Sequence, residues 1–302
     1  MNRVVVIGDA LIDELRDENG VREFVGGAGL NVAVGLQRLG VPATLIAMVG
    51  DDESGVRIRT ALADHGVELL ACTTQESGRA VSVRADGEPT YSFNSAAVAR
   101  RVEFGETERR VMADAPAIVV SSYPFDDEEQ EDALLRAVRE AGSPLIVDPN
   151  PRWGLLRDRD AFAAGLLHCA GGADLVKIGD DDAAMLWGED VDVAAARLRE
   201  AGAQAVLVTR GAAGATIVVD DGEISRPATP LSLPIVDTMG AGDATLAAAV
   251  AELVRTTPAS LAEWGHVLEA AMDAAAATCR VAGALLRSLA EVHSADLEVA
   301  GS

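Results

Sequence analysis

An acid set into a run of glycines is the clearest sign of chemistry in the sequence. Asp237-Thr238-Met239-Gly240-Ala241-Gly242-Asp243-Ala244 follows the extended Pro234-Ile235-Val236 and opens an alanine-rich stretch. Gly-Ala-Gly at a helix start leaves backbone N–H groups unpaired and unobstructed, a cradle for a phosphate or a developing oxyanion. Asp243 beside that cradle can accept a proton from an attacking hydroxyl; a first-turn capping carboxylate would look the same. A second glycine run, Gly26-Gly27-Ala28-Gly29-Leu30-Asn31, also enters a helix, and Asn31 brings both a donor and an acceptor for sugar-like hydroxyls. Tight packing of a strand against a helix would ask for the same glycines. Dinucleotide binding does not fit, because Val32 stands where a third glycine belongs.

Three further clusters sit at the ends of short apolar runs. Asp148-Pro149-Asn150-Pro151-Arg152 puts an acid, an amide and a guanidinium on a loop stiffened by two prolines, although a β-turn uses the same residue types. Lys177 with Gly179-Asp180-Asp181-Asp182 offers stacked carboxylates that could orient hydrated Mg2+ or cap a helix. Thr209-Arg210-Gly211-Ala212-Ala213-Gly214 is a glycine loop open to close approach by a nucleotide, or simply a turn.

Positioning these clusters requires a scaffold that gathers loop ends. Short β-branched runs recur at 4–7, 43–49, 117–121, 145–148, 174–178, 205–209 and 215–219. Helical segments lie around 28–39, 53–65, 127–141 and 191–201, and alanine-rich ones at 241–255 and 260–282. Alternating strand and helix predicts an α/β doubly wound, mostly parallel sheet covered on both faces. Residues 11–25, folded at Asn19-Gly20, and 79–94, turning at Asp86-Gly87, instead read as two hairpins forming a small antiparallel sheet. Their alternation predicts one apolar face with Leu11, Val81, Val83, Tyr91 and Phe93. No repeat or composition break divides residues 1–302, so a single domain is expected.

Composition narrows the partners. The 25 Lys and Arg residues stand against 48 Asp and Glu, giving a net charge of −23, which disfavours nucleic acid and anionic membrane surfaces. No run approaches a membrane span, and the N-terminus lacks a signal-peptide pattern. Cys72, Cys169 and Cys279 are scattered and odd in number, which suits reduced thiols in a cytoplasmic protein rather than disulfides or zinc. Lys177 is the only lysine and lies in Val-Lys-Ile, so a Walker-type phosphate loop is excluded. The absence of Gly-x-Gly-x-x-Gly after the first strand argues against a nicotinamide-dependent oxidoreductase.

Taken in order, Leu11-Ile12-Asp13, GGAGLN at 26–31, GDDESG at 50–55, DPNPR at 148–152, TRGAAG at 209–214 and DTMGAGDA at 237–244 resemble the ribokinase-like PfkB carbohydrate kinases over essentially the whole chain. The resemblance implies ATP-dependent phosphorylation of a small sugar with Mg2+, and a monovalent cation near Asp237. It makes Asp243 the catalytic base, with the Gly240, Ala241 and Gly242 amides facing the γ-phosphate. Asp13, Gly27, Gly29, Asn31 and Arg152 become sugar ligands; Thr209, Gly211, Gly214 and Lys177 border the nucleotide. Asp182 becomes the metal ligand, and the hairpins become a lid through which a homodimer forms.

Two departures bear on substrate. The family's Asn-x-x-Glu appears as Gly179-Asp180-Asp181-Asp182, which weakens the metal assignment. Ala28 replaces the lysine of ribokinases proper, which argues against ribose. DPNPR looks more like fructokinases and 2-keto-3-deoxygluconate kinases. For a sugar acid, Tyr91 would be available, with Arg22, Arg79 or Arg84 supplying the charge. The expectation is a fructokinase-like enzyme, with a 2-keto-3-deoxygluconate kinase, a ribokinase or nucleoside kinase, or a non-catalytic sugar- or nucleotide-binding protein as the alternatives.

Overall fold

Val4–Gly8 (β1) is buried along its whole length, as a VVVIG run must be when helices cover both faces of its sheet. The computed structural model describes residues 2–17, 20–83 and 90–292. After β1 come Leu11–Asp17 (β2), Gly20–Gly26 (β3), Ala28–Arg38 (α1), Ala43–Gly50 (β4), Glu53–Asp64 (α2) and Glu68–Thr74 (β5). Next are Gly78–Val83 (β6), Thr90–Phe93 (β7), Ser95–Val98 (α3), Glu106–Ala113 (α4), Ile118–Ser121 (β8), Glu128–Ala141 (α5) and Leu145–Asp148 (β9). Arg159–Ala170 (α6), Leu175–Gly179 (β10), Asp180–Trp187 (α7), Val191–Ala201 (α8) and Val206–Thr209 (β11) follow. The remainder is a 3-10 turn at Gly211–Ala213, then Ala215–Val219 (β12), Gly222–Arg226 (β13), Ala241–Arg255 (α9) and Leu261–Thr278 (α10).

The main sheet runs β13-β12-β11-β10-β9-β8-β1-β4-β5 and is parallel except at the β11-β12-β13 edge. Alternation along β1 sends Val4 and Val6 to one core, with α1, α2, α9 and α10, and Val5 and Ile7 to the other, with α4 to α8. The chain leaves β1 toward β4 and β5, then returns to the opposite side at β8. Strand order therefore reverses between β1 and β8, and ligands of such sheets collect outside the carboxyl ends at that point.

All seven anticipated strands of the main sheet form. Two more were not anticipated: β5 (ELLACTT) and β13 (GEISR) carry few β-branched residues and form by pairing at the sheet edges. α10 ends at Thr278, short of the expected 282.

The small sheet departs from expectation in three respects. Its order is β3-β2-β6-β7, and the two antiparallel hairpins are joined by a parallel β2-β6 pairing, so it is not antiparallel throughout. The register places Leu11 and Phe93 on one face and Val81 and Val83 on the other, so the single apolar face does not exist. Arg79 pairs with Glu14 at 2.7 Å and with Glu23 on the face turned away from Asp13, so it is not available to a sugar acid. Asn19, Arg84 and the Asp86-Gly87 turn lie outside the described residues.

The alanine-rich C-terminal helices let backbones approach closely. At Gly35, in α1, a Cβ would sit 2.8 Å from the Cβ of Ala247 in α9. Gly35→Ala is therefore expected to destabilise the protein by about 1–3 kcal/mol in urea unfolding. Adding Ala247→Gly should recover part of that loss, the signature of direct contact.

Candidate active site

Two helix starts converge at the carboxyl ends of the strands. From α1, Asn31 Nδ2 donates to Asp243 Oδ2 of α9 at 2.8 Å, joining motifs 212 residues apart. Packing explains most of the glycines around this contact. Gly240 caps α9 with φ 77°, and a Cβ there would fall 2.0 Å from the Ala284 carbonyl oxygen. A Cβ at Gly29 would lie 2.9 Å from the backbone of Gly8 and Asp9, so α1 can begin against the end of β1 only without one. Gly27, φ 109°, meets the same backbone. Gly242 is different: a Cβ there would meet only the end of the Lys177 side chain, its amine at 3.4 Å, so backbone packing does not demand glycine.

Acids dominate the cleft. Burial raises the Asp243 carboxyl to about 7; nearby Asp148 adds to the rise, while Asn31, Lys177 and Arg152 oppose it. Asp13, on β2, is likewise raised to about 7 by burial and by the charges of Asp9 and Asp243. An acid with such a pKa near neutrality is suited to exchanging protons in the physiological range.

Beneath Gly242 lies a buried ion pair that links two of the motifs. Lys177 Nζ, on β10, donates to Asp148 Oδ2 at the end of β9 at 2.8 Å, with the two residues 5% and 0% exposed. Burial works against the ammonium charge, but Asp148, Asp182 and Asp243 outweigh it and hold Lys177 above its ordinary value. Asp148 Oδ1 and Asn31 Oδ1 are buried without a hydrogen-bond partner among the described residues. Asp182 Oδ2 accepts from the Gly179 N–H at 2.9 Å, so this acid caps α7. Burial raises its carboxyl, against the pull of Lys177.

The remaining sequence candidates lie at strand ends and on loops. Arg152 is exposed, donates to the Pro151 carbonyl at 3.0 Å, and its charge acts on Asp9, Asp13, Asp182 and Asp243. Thr209 ends β11 beside Gly179, where a Cβ would meet its Oγ1 at 3.1 Å; Gly211 and Gly214 bracket the short turn that follows. Asp237 Oδ1 accepts from Met239 N–H at 3.0 Å and Oδ2 from Gly283 N–H at 3.4 Å, tying two loops together. From Asp13 a cleft of about 600 Å3 continues past Phe24, Met239 and Leu285 to His65 and Arg287. Among the described residues, no three His, Cys, Asp or Glu side chains form a ready-made metal cluster.

Asp9 and Arg100 were not singled out from sequence. Asp9 follows the first strand with no glycine fingerprint to flag it, and Arg100 lies beside Arg101 in a loop that carries no motif. The Lys177–Asp148 pair was also missed, although a lone lysine in a buried strand of an arginine-rich chain was a legible cue.

A mostly parallel sheet with a small accessory sheet, and a half-buried acid at an amide-rich helix start, define a ribokinase-like sugar kinase. Aminoimidazole riboside kinase from Salmonella enterica, solved with aminoimidazole riboside and an ATP analogue, superposes with a TM-score of 0.80 at 25% identity, covering 97% of this chain and 99% of that one. The pattern of the pfkB family carbohydrate kinases matches residues 1–289, and the chain belongs to that family. It is an ATP-dependent carbohydrate kinase. Fructokinase from Rhizobium leguminosarum bv. trifolii is 32% identical over 252 residues, covering 80% of this chain and 76% of the relative. Aminoimidazole riboside kinase from Salmonella typhimurium is 29% identical over 294 residues, covering 92% and 88%. Among the described residues, no helix is long and apolar enough to cross a membrane.

The raised acids make stability depend on pH. Asp13 binds its proton more tightly folded than at its ordinary value of 3.8, so its contribution to stability is fully present below about pH 4 and is lost as pH rises through about 7. Asp13→Asn removes the buried charge and should raise the unfolding temperature at pH 8, with the gain shrinking toward pH 5. Thermal melts across that range check it; each kcal/mol relieved corresponds to a shift of about 2–4 °C for a chain of this size class.

Proposed function

We propose that Asp243 is the base for direct in-line transfer of the ATP γ-phosphoryl group to a sugar hydroxyl. The observation that carries this reading is the 2.8 Å Asn31–Asp243 hydrogen bond at the meeting of two amide-rich helix starts. Ionised Asp243 takes the hydroxyl proton as the sugar oxygen forms its bond to Pγ. The bond from Pγ to the β,γ-bridging oxygen breaks, and ADP leaves with that electron pair. The N–H groups of Gly240, Ala241 and Gly242 face the charge that develops on the phosphoryl oxygens, and Lys177 below Gly242 adds a fixed positive charge. No His or Cys nucleophile belongs to this arrangement, so no phosphoenzyme forms.

Asp13, Asn31 and Arg152 hold the sugar, with Gly27 and Gly29 allowing it to approach the backbone; Thr209, Gly211 and Gly214 border the nucleotide. Mg2+ enters as MgATP. Asp182 would be the residue to hold it, and the cation would neutralise charge on the transferring phosphoryl group. A monovalent cation beside Asp237 suits the hard oxygen donors of that carboxylate and the adjoining loop carbonyls. The enzyme works in the cytoplasm, where its nucleotide is supplied.

The acceptor class favoured is a fructokinase-like ketose, supported by the similarity to fructokinases and by the DPNPR loop. A second reading, a riboside acceptor, draws on the 600 Å3 cleft running past Phe24 and Met239, which leaves room for an aglycone. An ADP-release screen with MgATP over fructose, ribose, 2-keto-3-deoxygluconate and ribosides separates the two. Asp243→Asn is expected to lower kcat by about 10²–10⁴ while leaving ATP and sugar affinity within a few-fold. Near wild-type turnover in that variant removes the base assignment.

The exposed Val21 and Val83, on the face of the small sheet turned away from Asp13, support a homodimer through this sheet. Sedimentation at micromolar concentration should return a dimer, and Val21→Asp should shift it toward monomer; a wild-type monomer contradicts the reading.

A further inference from the structure

At the point where strand order reverses, an acid and a cation face the same small void without touching. Asp9 follows β1, and its Oδ1 accepts from the Gly29 N–H at 3.1 Å. Its second oxygen has no hydrogen bond to a described residue. Arg100, from the loop after α3, is only 8% exposed. Its Nε donates to the Ser122 carbonyl at 3.2 Å and Nη1 to the Leu155 carbonyl at 3.5 Å, while Nη2 has no partner among the described residues. Ser122 itself is held in the left-handed region at φ 56°, a strained setting for a non-glycine residue and one that recurs at functional sites. Asp9 and Arg100 both line a void of about 20 Å3, with Ala10, Gly78 and Tyr123 among its walls. That is room for one water or one small polar group.

The pair is unusual in being close enough to interact yet not closed. Burial raises the Asp9 carboxyl, opposed by the Gly29 N–H and by the charges of Arg100 and Arg152. Burial lowers the Arg100 guanidinium, opposed by Asp9 and Asp126. No ion pair joins Asp9 to Arg100 among the described residues, so each keeps unused hydrogen-bonding capacity beside the void. The charge of Asp9 also acts on Asp13, which lines the acceptor cleft.

We propose that Asp9 and Arg100 form a specificity-determining pair that reads one hydroxyl of the acceptor, remote from the hydroxyl presented to Asp243. A hydroxyl is the group that both donates and accepts, as this pair requires: its O–H donates to Asp9, and its oxygen accepts from Arg100. A carboxylate would be repelled by Asp9, and a phosphate exceeds the void. The inference rests on the acceptor placement proposed above, and it adds to that reading the requirement for a second hydroxyl at a fixed distance from the first.

The test compares the preferred acceptor with each of its monodeoxy analogues, by steady-state ADP release and by calorimetric binding without ATP. Wild type should lose about 10–100-fold in kcat/KM and in affinity with one particular analogue, the scale of a charge-assisted hydrogen bond. Asp9→Asn should raise the KM for the parent sugar about ten-fold, abolish discrimination against that analogue alone, and leave the KM for ATP within two-fold. Because removing a buried cation can unfold a chain, Arg100 is tested as Arg100→Lys with a melting curve alongside; partial retention of discrimination is expected. Equal weakening of all analogues by Asp9→Asn, unchanged discrimination, or no sugar binding overturns the pair. Selective sugar binding without ADP release contradicts the phosphoryl-transfer roles and leaves the pair standing.

Discussion

Everything in the cleft depends on keeping a carboxylate at a helix start in a place where water cannot fully solvate it. Asp243 is held there by Asn31, and the contact requires α1 and α9 to present their first turns to each other. That requirement propagates outward. α1 reaches the position only by lying against the backbone that leaves β1, which excludes side chains at Gly27 and Gly29. α9 reaches it only by starting from a left-handed residue pressed on Ala284. Two motifs that look like ligand loops are therefore also packing solutions, and the two descriptions do not compete.

The same constraint sets the electrostatic character of the site. Asp9, Asp13, Asp148, Asp182 and Asp243 surround a space to which Lys177, Arg100 and Arg152 bring three positive charges. Four of those acids have raised pKa values, and burial is the first cause in each case. Such crowding works against folding near neutral pH and favours reactivity, a balance that active sites commonly strike. The large two-sided core carries the stability that this arrangement sacrifices.

The main sheet was readable from β-branched runs alone because strands buried on both faces have little freedom in composition. β5 and β13 escaped that reading because they lie at sheet edges, where pairing partners supply what local sequence lacks. The small sheet shows a different limit. Hairpins can be recognised from alternation and turn residues, but register and the joining of two hairpins are tertiary matters: the β6-β7 register put Val81 and Phe93 on opposite faces, and the parallel β2-β6 contact did the same for Leu11 and Val81. In the site, Asp243 and Asn31 stood out because glycines marked their surroundings. Asp9 and Arg100 had no such neighbours and became visible only once the fold placed them across one void. Asp182 illustrates the converse, since its capping bond to Gly179 is local and was foreseen as one of two readings.

The solitary lysine has a consequence for handling the protein. Every other basic side chain is arginine or histidine, so the chain offers amine-directed reagents a single side-chain target. That target is enclosed beneath Gly242, paired with Asp148 and held in its protonated, non-nucleophilic form. Acylating dyes and cross-linkers aimed at amines will therefore find the folded surface almost inert, and attachment will fall to the α-amino group. Label appearing at Lys177 would report that the floor of the cleft had opened, a built-in chemical gauge of the integrity of the site.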